Sequence, residues 1–175
     1  EGAADRLATL MPGAGHIVHM PSHIYWRLGR YADAVAVNTA AVQADLAYFG
    51  TASPSPIYAG LYHPHNIDFI WHSASMQGRS AETIRAAREF ASKATPQMIA
   101  AMPDMEIAPT AAVTALIRFG RWDEVLAFSA PPREWPYTRG IWHYARGTAY
   151  NAKGDAGQAR RELSELEAIL AAVPA

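Results

Sequence analysis

Four glycines punctuate the chain where helix-like segments end, and they constrain the fold more than any other feature. Gly29-Arg30, Gly78-Arg79 and Gly120-Arg121 share a dipeptide, and Gly154-Asp155 stands in a matching context. Each follows one helical-looking run and precedes another, as glycine does when it closes a helix and lets the chain reverse. The clearest stretch is YWRLGRYADAVAVNTAAVQAD, in which Tyr31, Ala34, Asn38 and Ala41 recur at i, i+3, i+7 and i+10, a single helical stripe. ALIRFGRWDEVLAF and YARGTAYNAKGDAGQARREL repeat the arrangement. No segment alternates with the period of a strand. The expected fold is all-α, made of antiparallel helix pairs.

Small and aromatic residues stand at fixed distances from these turns. Gly147, Tyr150, Gly154 and Ala159 take positions 8, 11, 15 and 20 of the fourth unit. Ser22, Tyr25, Gly29, Tyr31, Ala34 and Ala41 take positions 8, 11, 15, 17, 20 and 27 of the first. A small side chain lets two helices touch, and an aromatic fills the gap beside it. The pattern resembles the tetratricopeptide repeat, a helix–turn–helix unit of about 34 residues. The third unit keeps Gly120 and Trp122 but has Val125 where alanine is expected. The second has Trp71 where a small residue is expected and Thr83 at position 20. The turn glycines are 49, 42 and 34 residues apart, so extra segments separate the first three units.

The resemblance implies one domain over residues 1–175, helix pairs stacked as a short, irregular α-solenoid, with units at about 15–49, 64–95, 106–130 and 137–173. Residues 50–64 are expected to be irregular, because Pro54, Pro56 and Pro64 stand there with Gly50 and Gly60. A loop with one helical turn is expected over 94–109, and a proline linker over 130–137. Residues 3–10 read as the tail of an earlier helix. The start at Glu1, without methionine, reads as a fragment of a longer protein.

Composition removes several function classes. The chain has no cysteine, which excludes a thiolate zinc site, an iron–sulfur cluster and a cysteine nucleophile. A net charge of −1 gives no electrostatic case for nucleic acid or an anionic membrane. No apolar run is long enough to span a bilayer, so the chain reads as soluble, with its compartment unread.

The histidines are clustered. Six of the seven lie in residues 16–72. GHIVHMPSHIYWRLG carries His16, His19 and His23, and YHPHNIDFIWHSASMQG carries His63, His65, Asp68 and His72. Superposing the turn glycines Gly29 and Gly78 maps His16 onto His65, His19 onto Asp68 and His23 onto His72. In the repeat frame, groove-facing positions of the first helices fall on His16, His19, His23, Trp26 and Arg27, and on His65, Asp68, His72, Ser75 and Met76. Arg118 takes an equivalent place in the third unit. His63 and His65 flank a proline and need not point the same way.

Neutral imidazoles suit zinc, copper, nickel or iron, and a carboxylate is a common companion. His16, His19, His23, His65, Asp68 and His72 form the pool of candidate metal ligands. Met76, one turn beyond His72, would favour copper. Tyr62 and Asn66 are candidate donors around the ligands. No glutamate stands between the histidines, so the H-E-x-x-H chemistry of metalloproteases is unsupported. Groove histidines can equally be hydrogen-bonding residues: Pro21 frees the carbonyl of Ile17, which then needs a partner. Arg27 and Arg118 could clamp a carboxylate or phosphate.

The stretch from Gly15 to Ile24 also resembles a bacterial group of tetratricopeptide proteins carrying G-H-x-x-H-M-P-S-H-I, a group without a settled activity. The leading expectation is a binding module whose histidine-lined groove holds a protein, a peptide or a small polar ligand. The alternative is a metal-binding protein using the groove histidines with zinc, copper, nickel or iron, zinc or copper being the expected cofactor. A metal-dependent enzyme comes third, since no base or nucleophile is evident and no catalytic residue is assigned.

Overall fold

The computed structural model describes residues 1–172. The end of the expected fourth unit, residue 173, lies outside them. The fold is all-α, with no strand among the described residues. The chain groups into two compact units, Glu1–Lys93 and the residues from Ala94 onward.

The first unit comprises α1 (Gly2–Leu10), α2 (Gly15–His19), α3 (Ser22–Arg27), α4 (Tyr31–Thr51), α5 (His63–Met76) and α6 (Ser80–Lys93). Helix α4 packs against α2, α3 and α5, and α5 packs in turn against α6. The contact surface is built from small residues: Ala34, Ala41, Ala74 and Ala87 are fully buried. In the second unit, α7 (Pro96–Ala101) and a 3-10 turn (Pro103–Ile107) lead into α8 (Thr110–Arg118), α9 (Trp122–Ala127), α10 (Pro136–Ala152) and α11 (Ala156–Ala172). Its core includes Ala108, Ala115, Leu116, Val125, Ala145 and Ala149, all fully buried.

The four turn glycines adopt one conformation. Gly29, Gly78, Gly120 and Gly154 have φ of 75°, 71°, 65° and 82°, a region that favours a residue without Cβ. The residue after each glycine donates its N–H five residues back, Arg30 to Tyr25, Arg79 to Ala74, Arg121 to Leu116 and Asp155 to Tyr150, at 2.8–3.1 Å. Each glycine N–H bonds three residues back, as in Gly29 to Trp26 at 3.3 Å. These paired bonds form the Schellman closure, which satisfies the last carbonyls of one helix and launches the next.

Three segments differ from expectation. The predicted first helix is two, because Pro21 interrupts it. Ile17 O accepts a short bond from Met20 N at 3.3 Å, and α3 starts afresh with Pro21 O receiving Ile24 N and Tyr25 N at 3.0 Å. Residues 50–64 are mostly helical. Helix α4 runs on to Thr51, and a π-helical turn over Tyr58–Tyr62 joins α5 without a break. Pro64 stands at the junction of the π-helical turn and α5, where it has no N–H to donate to the turn before it. Pro136 opens α10 and does not belong to the linker. No described helix is long and apolar enough to cross a membrane.

A candidate metal centre of three histidines

The site begins with an unusually close helix contact. A Cβ on Gly15 would stand 2.0 Å from Asp45 Oδ1 and 2.6 Å from Ala41 O, so only glycine lets α2 lie this close to α4. Asp45 is fully buried. It accepts hydrogen bonds from Tyr58 Oη at 2.7 Å and Asn66 Nδ2 at 2.8 Å, and His63 Nδ1 stands 3.1 Å away. Tyr58 Oη also accepts the His16 backbone N–H at 3.3 Å. One carboxylate thus ties α2, the π-helical turn and α5 to α4. Burial, then the bond to Asp45, pushes the Tyr58 hydroxyl up to about 12.

This framework brings His16, His19, His23 and His65 together. His19 is fully buried and the other three are half-buried. One donor nitrogen from each of His19, His23 and His65 lies within 4.8 Å of the others. His19 Nε2 and His23 Nε2 are 3.0 Å apart. The His65 ring meets His19 edge-on at 4.7 Å and lies 5.7 Å from His23. Phe69 covers all three, its centroid 4.8 Å from His19, 4.7 Å from His23 and 5.0 Å from His65. An apolar wall of this kind lowers the local dielectric and strengthens any charge interaction beside it.

Hydrogen bonding fixes the tautomer of His19. Asn38 Nδ2 donates to Ala34 O at 2.7 Å, which turns Asn38 Oδ1 toward His19 Nδ1 at 2.6 Å. The oxygen can only accept, so His19 Nδ1 carries the proton and Nε2 keeps its lone pair. His23 Nε2–H then donates to His19 Nε2. A metal ion would replace that single proton, and Asn38 would play the orienting part that a carbonyl plays behind a metal-bound imidazole.

Electrostatics keep the ligands neutral. Burial, opposed by the Asn38 bond and aided by the neighbouring histidines, lowers the pKa of His19 from 6.5 to about 4. Burial lowers His16, His23 and His65 as well. Four uncharged imidazoles at neutral pH are competent ligands without a proton to lose.

The other sequence candidates separate from the triad. His16 stacks on His19 with centroids 5.3 Å apart and leans on Tyr62 at 4.4 Å, and its buried Nδ1 has no partner. Asp68 accepts a hydrogen bond from Trp71 Nε1 at 2.8 Å, and His72 Nδ1 bonds the Asp68 carbonyl at 3.1 Å while its ring lies tilted against Trp71, 3.7 Å between centroids. Asp68 and His72 form a local pair outside the three-nitrogen group. The reason is geometric. His72 lies seven residues beyond His65, about 10 Å along α5, and the Asp68 carboxylate is turned to Trp71. Met76 lies eleven residues beyond His65, about 16 Å along α5 at the helical rise, and cannot join. His63 turns away from His65 into the Asp45 network. Trp26 and Arg27 are exposed at the end of α3, and Arg118 is exposed in the second unit.

Sequence reading missed Asn38, Asp45, Tyr58 and Phe69. A signal existed for the first two. Asn38 and Asp45 lie seven residues apart on the stripe that Ala34 and Ala41 bury, and a polar residue on a buried stripe needs partners. In the second unit, His143 Nδ1 stands 2.8 Å from Glu162 Oε2, whose other oxygen holds Arg146 Nε at 2.7 Å. That group has one histidine and no second donor nitrogen. Compared with protein-family models, curated proteins and solved structures, the chain gives no match.

Proposed function

We propose that this chain is a tetratricopeptide-type helical repeat protein whose first unit binds one transition-metal ion through His19, His23 and His65. The observation that carries the reading is the convergence of three neutral imidazole nitrogens within 4.8 Å, one of them with its tautomer set by Asn38. Three imidazoles with an open fourth position suit zinc, which takes four ligands, with nitrogens at about 2.0–2.1 Å. Copper, nickel or iron share the imidazole preference. No thioether reaches the cluster from Met76, which moves the reading from copper toward zinc. The four like turns support the repeat reading, and residues 15–24 supply two of the three candidate ligands, His19 and His23.

A ligand-binding groove without metal is the second reading. It rests on the exposed Trp26 and Arg27 beside the half-buried His23. Elemental analysis of untagged, dialysed protein tests the first against the second. The metal reading expects about one equivalent of zinc or another first-row ion per chain. It expects His65→Ala to lose that ion while circular dichroism keeps its helical signal. A protein that takes up no metal on reconstitution, or a His65→Ala variant that binds as well as the native chain, overturns it.

A further inference from the structure

We propose, resting on the metal reading, that the open position of the three-histidine centre takes a small oxyanion, a carboxylate or a phosphate, held jointly by the metal and the Arg27 guanidinium. The first argument is charge balance. Three neutral imidazoles bring no negative charge into the coordination shell of a divalent ion, and the side chain packed against them, Phe69, is apolar.

The charge of Asp68 reaches His65 and that of Asp45 reaches His16, but neither carboxylate is placed to enter the coordination shell. Asp45 is fully buried and engaged by Tyr58, His63 and Asn66. Asp68 is engaged by Trp71 and faces His72, with Nδ1 3.3 Å from Oδ1. An anion in the coordination shell itself therefore has to come from outside the chain.

The second argument is Arg27. It follows His23 by four residues, one turn along the same face of α3. His19 is buried, His23 is half-buried, and Arg27 is exposed one turn beyond His23. The Arg27 charge reaches the His23 ring, where it disfavours protonation. Arg27 has no carboxylate partner among the described residues. Arg30, three residues on, is engaged by Glu1, Asp5 and Asp33 at 2.7–3.0 Å. A guanidinium left exposed beside a cationic centre matches an oxyanion with two oxygens, one for the metal and one for the nitrogen fork.

Cobalt(II)-loaded protein tests this, because its visible bands report the coordination sphere. Cobalt content is measured first. Sodium acetate and inorganic phosphate are then titrated separately at fixed ionic strength, and affinity is read per bound cobalt. The expected result is a saturable band change with either or both anions. Arg27→Ala should weaken that binding about tenfold or more, and Arg27→Lys should fall between. Arg27 is exposed, so its replacement leaves the fold intact. Bands indifferent to both anions, or equal anion affinity in Arg27→Ala, overturn the oxyanion proposal while the metal reading stands. A protein that binds no cobalt overturns both.

Discussion

Mild acid should weaken the metal-free protein through His19. The unfolded chain takes up a proton at this side chain near pH 6.5, whereas the folded chain resists until about 4. Between those values the unfolded state binds more protons, so stability falls as pH falls, and the loss from this group is complete below about 4. The shift of roughly 2.5 pH units corresponds to about 3 kcal/mol, of which about 2 kcal/mol disappears between about pH 7 and about 4.5. That is a large share of a marginal stability. The assay is urea unfolding followed by circular dichroism, with a chelator present, on the native chain and on His19→Gln. Glutamine keeps a donor for Asn38 and cannot titrate. The native chain should lose about 2 kcal/mol more than His19→Gln over that interval. His16, His23 and His65 are shifted in the same direction, so the variant retains some acid sensitivity. Parallel losses in the two proteins would refute the reasoning, because burial would then not hold His19 neutral.

Other perturbations probe separate parts of the account. Replacing Asn38 by alanine frees the His19 ring, and metal affinity should drop about 10–100-fold in competition with a chromophoric chelator. Gly15→Ala drives a Cβ into Asp45 and the Ala41 carbonyl, and chemical denaturation should show a loss of about 2 kcal/mol or more. His72→Ala should leave metal affinity unchanged by the same competition assay, since His72 pairs with Asp68 outside the triad. A loss there equal to that of His65→Ala would place the ligands elsewhere on α5.

The helical scaffold was legible because its punctuation is chemical. A glycine needed for positive φ leaves a mark at Gly29, Gly78, Gly120 and Gly154 that no side chain could replace cheaply. The histidine cluster was legible as a cluster, but its membership was not. Aligned repeats identify equivalent residues, and equivalence is not contact: Asp68 matches His19 in the frame yet serves Trp71, while His65 closes on His19 and His23. Pro21 marked a break whose consequence, two short helices in place of one, depends on which carbonyls find new donors. The π-helical turn was hidden by Gly60 within it and by the flanking Pro54, Pro56 and Pro64, which read as a loop. The Tyr58 hydroxyl at its start is held by Asp45, a contact spanning thirteen residues that no local pattern encodes.

X-ray absorption on the zinc-loaded protein tests the central claim most directly. The account predicts a first shell of three imidazole nitrogens and one further light atom at about 2.0–2.2 Å, with one imidazole lost in any of the single alanine variants of His19, His23 or His65 that still retains zinc. A shell of oxygens without imidazole scattering, or a native-like shell in all three variants, would contradict it.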